Sequence, residues 1–189
     1  LQIDTTRLAM SGSAAGNAAV VLSEGALNIS ASRISGDALS LIQSGTADVT
    51  LRGRGDALAL NGGAVRAGGD IDVSAGTLSV QGSDLGAMGA LRLASTVGRL
   101  DFDATAVAAS IAMNSAASAS INGALAASGD ILLSAAGNLS HGSTVGTPGQ
   151  FAMQAGGTLT DRGQSEGVGA LRMTGGSIDA GGSYVVAGN

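Results

Sequence analysis

The chain has 189 residues, 44% of them hydrophobic, with 32 glycines, a single proline, no cysteine and only Phe102, Phe151 and Tyr184 as aromatics. That apolar content excludes disorder, and the scarcity of rings calls for a thin core of small and branched side chains. The net charge of −5, with nine arginines and no lysine, argues against nucleic acid or heparin-like partners, which need a basic patch. No apolar run is long enough for a membrane-spanning helix, no signal peptide opens the chain, and disulfides and thiolate metal sites are excluded.

In chain order, apolar residues recur in pairs two apart. The pairs are Leu1/Ile3, Val20/Leu22, Leu39/Leu41, Leu58/Leu60, Ile71/Val73, Leu91/Leu93, Ile111/Met113, Ile131/Leu133, Phe151/Met153 and Leu171/Met173. A spacing of two marks a strand with one buried face. A second pair follows within a unit, as in Leu8/Met10, Leu27/Ile29, Val65/Ala67, Leu78/Val80 and Ile178/Ala180, and a third inward residue falls at Ile34, Leu85, Leu125, Val145 and Val185. Gly, Ser, Asn and Asp fill the gaps, as turns require.

Units therefore start near 1, 20, 39, 58, 71, 91, 111, 131, 151 and 171. Three short strands in each unit of roughly twenty residues predict an all-β parallel β-helix, a solenoid in which stacking buries what one coil cannot bury alone. Residues 1–189 form a single segment of it, and the start in mid-pattern at "LQID" reads as an excision from a longer fibre.

Polar residues in this frame supply the candidate sites. "GD" occurs at 36–37, 55–56, 69–70 and 129–130, each time before an apolar pair. Glycine suits a corner, and aspartate can accept hydrogen bonds from nearby amides. At 54–56 an arginine precedes it, giving Arg54-Gly55-Asp56, the tripeptide that integrins read. The unit starting at Leu58 is seven residues short, which would leave this corner beside a gap. Arg33 and Arg52 share a unit position and form a candidate basic spot for a sulfated or sialylated glycan. Asp72 and Arg92 should pair across neighbouring strands.

Asp101 and Asp103 of "RLDFD" point outward, on what reads as a solvated face rather than a catalytic carboxylate pair. His141 is the sole histidine, and "GGDID" at 68–72 is one partial match to a calcium repeat. Neither predicts a metal. No cofactor and no enzymatic activity are expected.

Units such as "GGDIDVSAGTLSVQGS" (68–83) and "SGDILLSAAGNLSHGS" (128–143) resemble the repeats of filamentous haemagglutinin-type exoproteins. These are large bacterial adhesins exported by two-partner secretion. The resemblance covers the whole chain and implies a right-handed β-helix in the shaft of a secreted, surface-exposed fibre that attaches to host cells. It also implies an outer-membrane transporter partner, engaged through a domain not in this chain. A structural stalk, of an adhesin or of a contact-dependent growth-inhibition toxin, is the alternative. A carbohydrate-active β-helix would need a cleft that short turns do not build.

Overall fold

A computed structural model describes residues 1–12, 19–37, 39–54 and 57–187. The described residues form strands and turns with no helix, and every strand pairing is parallel. Among the described residues the strands stack as a β-solenoid of nine rungs. Rungs are numbered by their strands on the first face: Gln2–Asp4, Leu27–Ala31, Val49–Gly53, Ile71–Ala75, Ala90–Ser95, Ser110–Ser115, Ile131–Ala135, Gln150–Ala155 and Ala170–Thr174. A second face runs from Arg7–Ala9 in rung 1 to Ser177–Ala180 in rung 9. The third runs from Ala19–Ser23 to Ser183–Val186. In rungs 4, 5 and 6 one long strand serves the second and third faces, as in Thr77–Ala87. At about 4.8 Å per rung the stack rises roughly 40 Å.

Stacking is in register, so each inward side chain sits on its counterpart in the next rung. The first-face ladder is Ile3, Ile29, Leu51, Val73, Leu93, Met113, Leu133, Met153 and Met173. The members from Ile29 to Met153 are at most 1% exposed. Burying each contributes about 1.5–3 kcal/mol before the cost of ordering the chain. Where the first face ends, the residue is small: Ala75, Ser95, Ser115, Ala135 and Ala155 are all buried. Ser95 Oγ donates to Ser115 Oγ at 2.9 Å, and Ser115 Oγ donates to the Ser118 carbonyl at 3.0 Å, so these hydroxyls serve the corner's own polar groups.

The repeat differs from the sequence expectation in the first three rungs. Leu58 stacks on Leu78 of the second face and not on Ile71. The pairs at Val20 and Leu39 belong to the third face, where Val20 registers with Leu41. Their parity is also inverted: Leu22 is 61% and Leu39 45% exposed, whereas Ile42 is buried. No rung is abbreviated, because Ala64–Ala67 provides the third-face strand of rung 3. Successive rungs are instead longer at the start, since the first-face ladder steps from Ile3 to Ile29 to Leu51 to Val73 and only then by twenty. The cause is physical. All three faces carry the same period-two alternation, so an apolar pair does not reveal which face it lies on.

Candidate functional site

Arg54 follows the first-face strand Val49–Gly53 of rung 3, and Ala57–Asn61 opens the second face. Its amide donates to the Ala31 carbonyl at 3.0 Å, and Ser32 Oγ donates to the Arg54 carbonyl at 2.6 Å. The side chain is half exposed and reaches back to rung 1, where Nη1 lies 3.0 Å from Asp4 Oδ1. Gly55 and Asp56 lie outside the described residues.

Register measures how long this corner is. Arg52 aligns with Ser74 and Ala57 with Thr77, so four residues of sequence separate positions that two, 75 and 76, separate in rung 4. Toward rung 2, Gly53 aligns with Ala31 and Ala59 with Arg33, so five residues of sequence separate positions that Ser32 alone separates in rung 2. The corner is longer than both neighbours. This insertion replaces the expected abbreviated unit as the feature that sets the corner apart.

The "GD" corners are not equivalent. Gly69-Asp70 and Gly129-Asp130 precede first-face strands, Gly36-Asp37 precedes the third-face strand Ser40–Ser44, and 55–56 precedes a second-face strand. The aspartates clamp neighbouring rungs. Asp70 Oδ1 accepts from the Ala90 amide at 2.8 Å and Asp130 Oδ1 from the Gln150 amide at 2.8 Å. Asp48 takes the same part toward the Asp70 amide, and Asn138 toward that of Thr158. Asp37 accepts from the Leu39 and Gly12 amides and from Ser40 Oγ. The Ser40 hydroxyl is the main reason its carboxyl sits below the usual range.

Arg33 and Arg52 do not come together. Arg33 lies on the second face, in register with Arg7 and Ala59, whereas Arg52 lies on the first, between Ser30 and Ser74. The shared unit position was a product of the mistaken register, and the expected basic spot does not form. Asp72 and Arg92 do pair, at 3.3 Å, but Arg92 binds Asp70 more closely, at 2.7 Å. Its hydrogen bond holds the Asp70 carboxyl below the usual carboxylate range. Asp101 and Asp103 face outward, with Arg99 on Asp101, and alternate with the buried Leu100 and Phe102.

The chemically richest cluster is inside the solenoid and was not anticipated. His141 and Asp161 occupy an inward ladder of the second face that runs Leu60, Val80, Phe102, Ile121, His141, Asp161 and Ala180. Both side chains are fully buried, with His141 Nδ1 2.7 Å from Asp161 Oδ1. The Gly163 amide donates to the same oxygen at 2.8 Å, and Tyr184 donates its hydroxyl to Asp161 Oδ2 at 2.7 Å. Burial alone pushes the Asp161 carboxyl up, but the hydrogen bonds from His141, Gly163 and Tyr184 outweigh it and hold it below the usual range. Burial, then the Asp161 bond, pushes the Tyr184 hydroxyl up to about 12.

Phe151 packs on the imidazole at a centroid distance of 5.3 Å. Gly163 leaves room for the ring: a Cβ there would lie 2.3 Å from His141 Cε1. One signal was available in the sequence. Ile121, His141 and Asp161 are spaced by twenty, so the two polar residues fall where the repeat places an apolar one.

A shallow groove of about 520 Å³ crosses the third face in rungs 2 to 5, between Gln43, Arg66, Asp84, Met88 and Val107. The Arg66 guanidinium is taken up by Asp84, through both its carboxylate and its carbonyl. Among the described residues no three His, Cys, Asp or Glu side chains gather as a metal site, and no helix is long and apolar enough to cross a membrane. No protein-family model, curated protein or solved structure matches the chain.

Proposed function

We propose that the chain is a shaft segment of a large secreted bacterial surface adhesin, and that Arg54-Gly55-Asp56 is a corner read by an integrin-type receptor on host cells. The reading rests on the resemblance of its twenty-residue units to filamentous haemagglutinin-type repeats. The observation that carries the site is the corner itself: a half-exposed Arg54 opens a connection longer than its counterpart in either adjoining rung. Stacking alone does not require those extra residues. In this reading the fibre reaches the surface through an outer-membrane transporter partner, and the solenoid serves as a spacer that presents the corner.

The second reading, a purely structural stalk of an adhesin or a toxin, is favoured by the Arg54–Asp4 ion pair and by the aspartates at 37, 70 and 130, which tie rungs together. Attachment of integrin-bearing cells to the immobilised protein and to an Asp56→Glu variant separates the two. The adhesin reading expects attachment to fall several-fold with the variant, with no change for cells lacking integrins. Equal attachment to both proteins removes the receptor corner and leaves the stalk. A carbohydrate-active β-helix is tested by oligosaccharide cleavage.

A further inference from the structure

Within the described residues, three buried side-chain atoms have no protein hydrogen-bond partner: His141 Nε2, Ser143 Oγ and Ser165 Oγ. All three belong to rungs 7 and 8, at the corner between the second and third faces. Such groups are rare because a buried polar atom left unpaired has lost its water without gaining a partner. Three at one corner call for a shared partner. We propose that this corner binds one internal water molecule, which joins His141 Nε2 to the hydroxyls of Ser143 and Ser165.

The ladders make the place polar. On the third face the inward positions run Val65, Leu85, Ala106, Leu125 and Val145, then change to Ser165 and Tyr184. On the second face Ile121 gives way to His141 and Asp161. Both changes fall in rungs 7 to 9, and the small Gly163 separates the two faces in rung 8.

Hydrogen-bond roles fit water. Asp161 accepts from Nδ1, which leaves Nε2 as the unbonded ring nitrogen, and in the neutral tautomer it presents a lone pair. A water molecule donates one hydrogen to Nε2 and accepts from the two serine hydroxyls. It then has three partners, the usual number for a buried water. An ion is a poorer occupant. A cation finds only two neutral hydroxyls and one imidazole nitrogen, and an anion meets the Nε2 lone pair. The result is a continuous chain from Tyr184 through Asp161 and His141 to water and the serines, spanning rungs 7 to 9.

His141 is the only histidine, so its imidazole gives a single set of resonances. The test is nuclear Overhauser transfer from long-lived water to the His141 ring protons in the intact chain, repeated on Ser165→Val and Ser143→Ala. The proposal expects transfer to the ring in the wild type and its loss in the double variant, with the Nδ1 proton bonded to Asp161 still visible in both. A crystal structure should show a density peak within hydrogen-bond distance of Nε2 and both hydroxyls. Absent transfer in the wild type, or serine hydroxyls turned onto backbone carbonyls with no peak between them, overturns it. Surviving transfer in a folded double variant overturns the role of the serines.

Discussion

Replacing Asp161 with alanine tests whether the buried polar cluster holds the last rungs together. The carboxylate accepts from His141 Nδ1 at 2.7 Å, the Gly163 amide at 2.8 Å and Tyr184 at 2.7 Å. His141 and Gly163 are buried, so neither donor reaches bulk water once the acceptor is lost. Two orphaned donors at about 1–3 kcal/mol each, one of them facing a lost charge, give an expected loss of about 3–5 kcal/mol. Asp161→Asn keeps an oxygen for His141 and Gly163 and should cost only about 1 kcal/mol, because it gives up charge but few bonds. Urea unfolding reads the difference as a change in midpoint at constant slope. Because solenoid stability is a sum over neighbouring rungs, hydrogen exchange should rise first in Thr158–Asp161 and Ser177–Ala180. An alanine variant within about 1 kcal/mol of wild type, or an asparagine variant worse than it, would refute the assignment.

The remaining predictions concern the same interior and its packing. Gly163→Ala puts a Cβ 2.3 Å from the His141 ring and should cost about 1–3 kcal/mol. Gly25→Ala, which meets nothing within 4 Å, should leave the unfolding midpoint unchanged. Asp161 has a lowered carboxyl, so its contribution is complete above the ordinary Asp range near pH 4 and is lost as pH falls through the folded value. A pH series on Asp161→Asn should lack that acid limb. Tyr184 is shifted the other way, so its contribution holds below the ordinary tyrosine value near pH 10 and is lost as pH rises toward about 12. Tyr184→Phe should flatten that alkaline limb. Phe102→Ala empties a fully buried rung position and should cost about 3–5 kcal/mol in the same urea assay.

The strand alternation and the stacking were legible because Val73, Leu93, Met113, Leu133 and Met153 recur at a constant twenty. Rungs 1 to 3 were not, for they carry extra residues at corners, and a corner leaves no periodic trace. Leu58/Leu60 looks like Ile71/Val73 although the two pairs lie on different faces. That confusion produced the abbreviated unit, and the same confusion at Val20 and Leu39, whose pairs lie on the third face, produced the Arg33–Arg52 spot. The clamp role of Asp70 was half visible. Its acceptor chemistry was expected, but the amide it holds, that of Ala90, belongs to the next rung and is local only in space. His141 and Asp161 were hidden because a polar residue in a repeat reads as outward unless the twenty-residue register is followed position by position.

The parallel stacking has a mechanical consequence. Strands run across the long axis, so the hydrogen bonds between rungs lie along it. Tension applied end to end therefore loads these bonds one rung after another rather than shearing a whole sheet at once. A released rung of about twenty residues supplies roughly 65 Å of extended chain where it had contributed only about 4.8 Å of rise. A fibre built this way is an extensible tether. It yields in discrete steps, and stretching a single molecule should record them at intervals of roughly 60 Å.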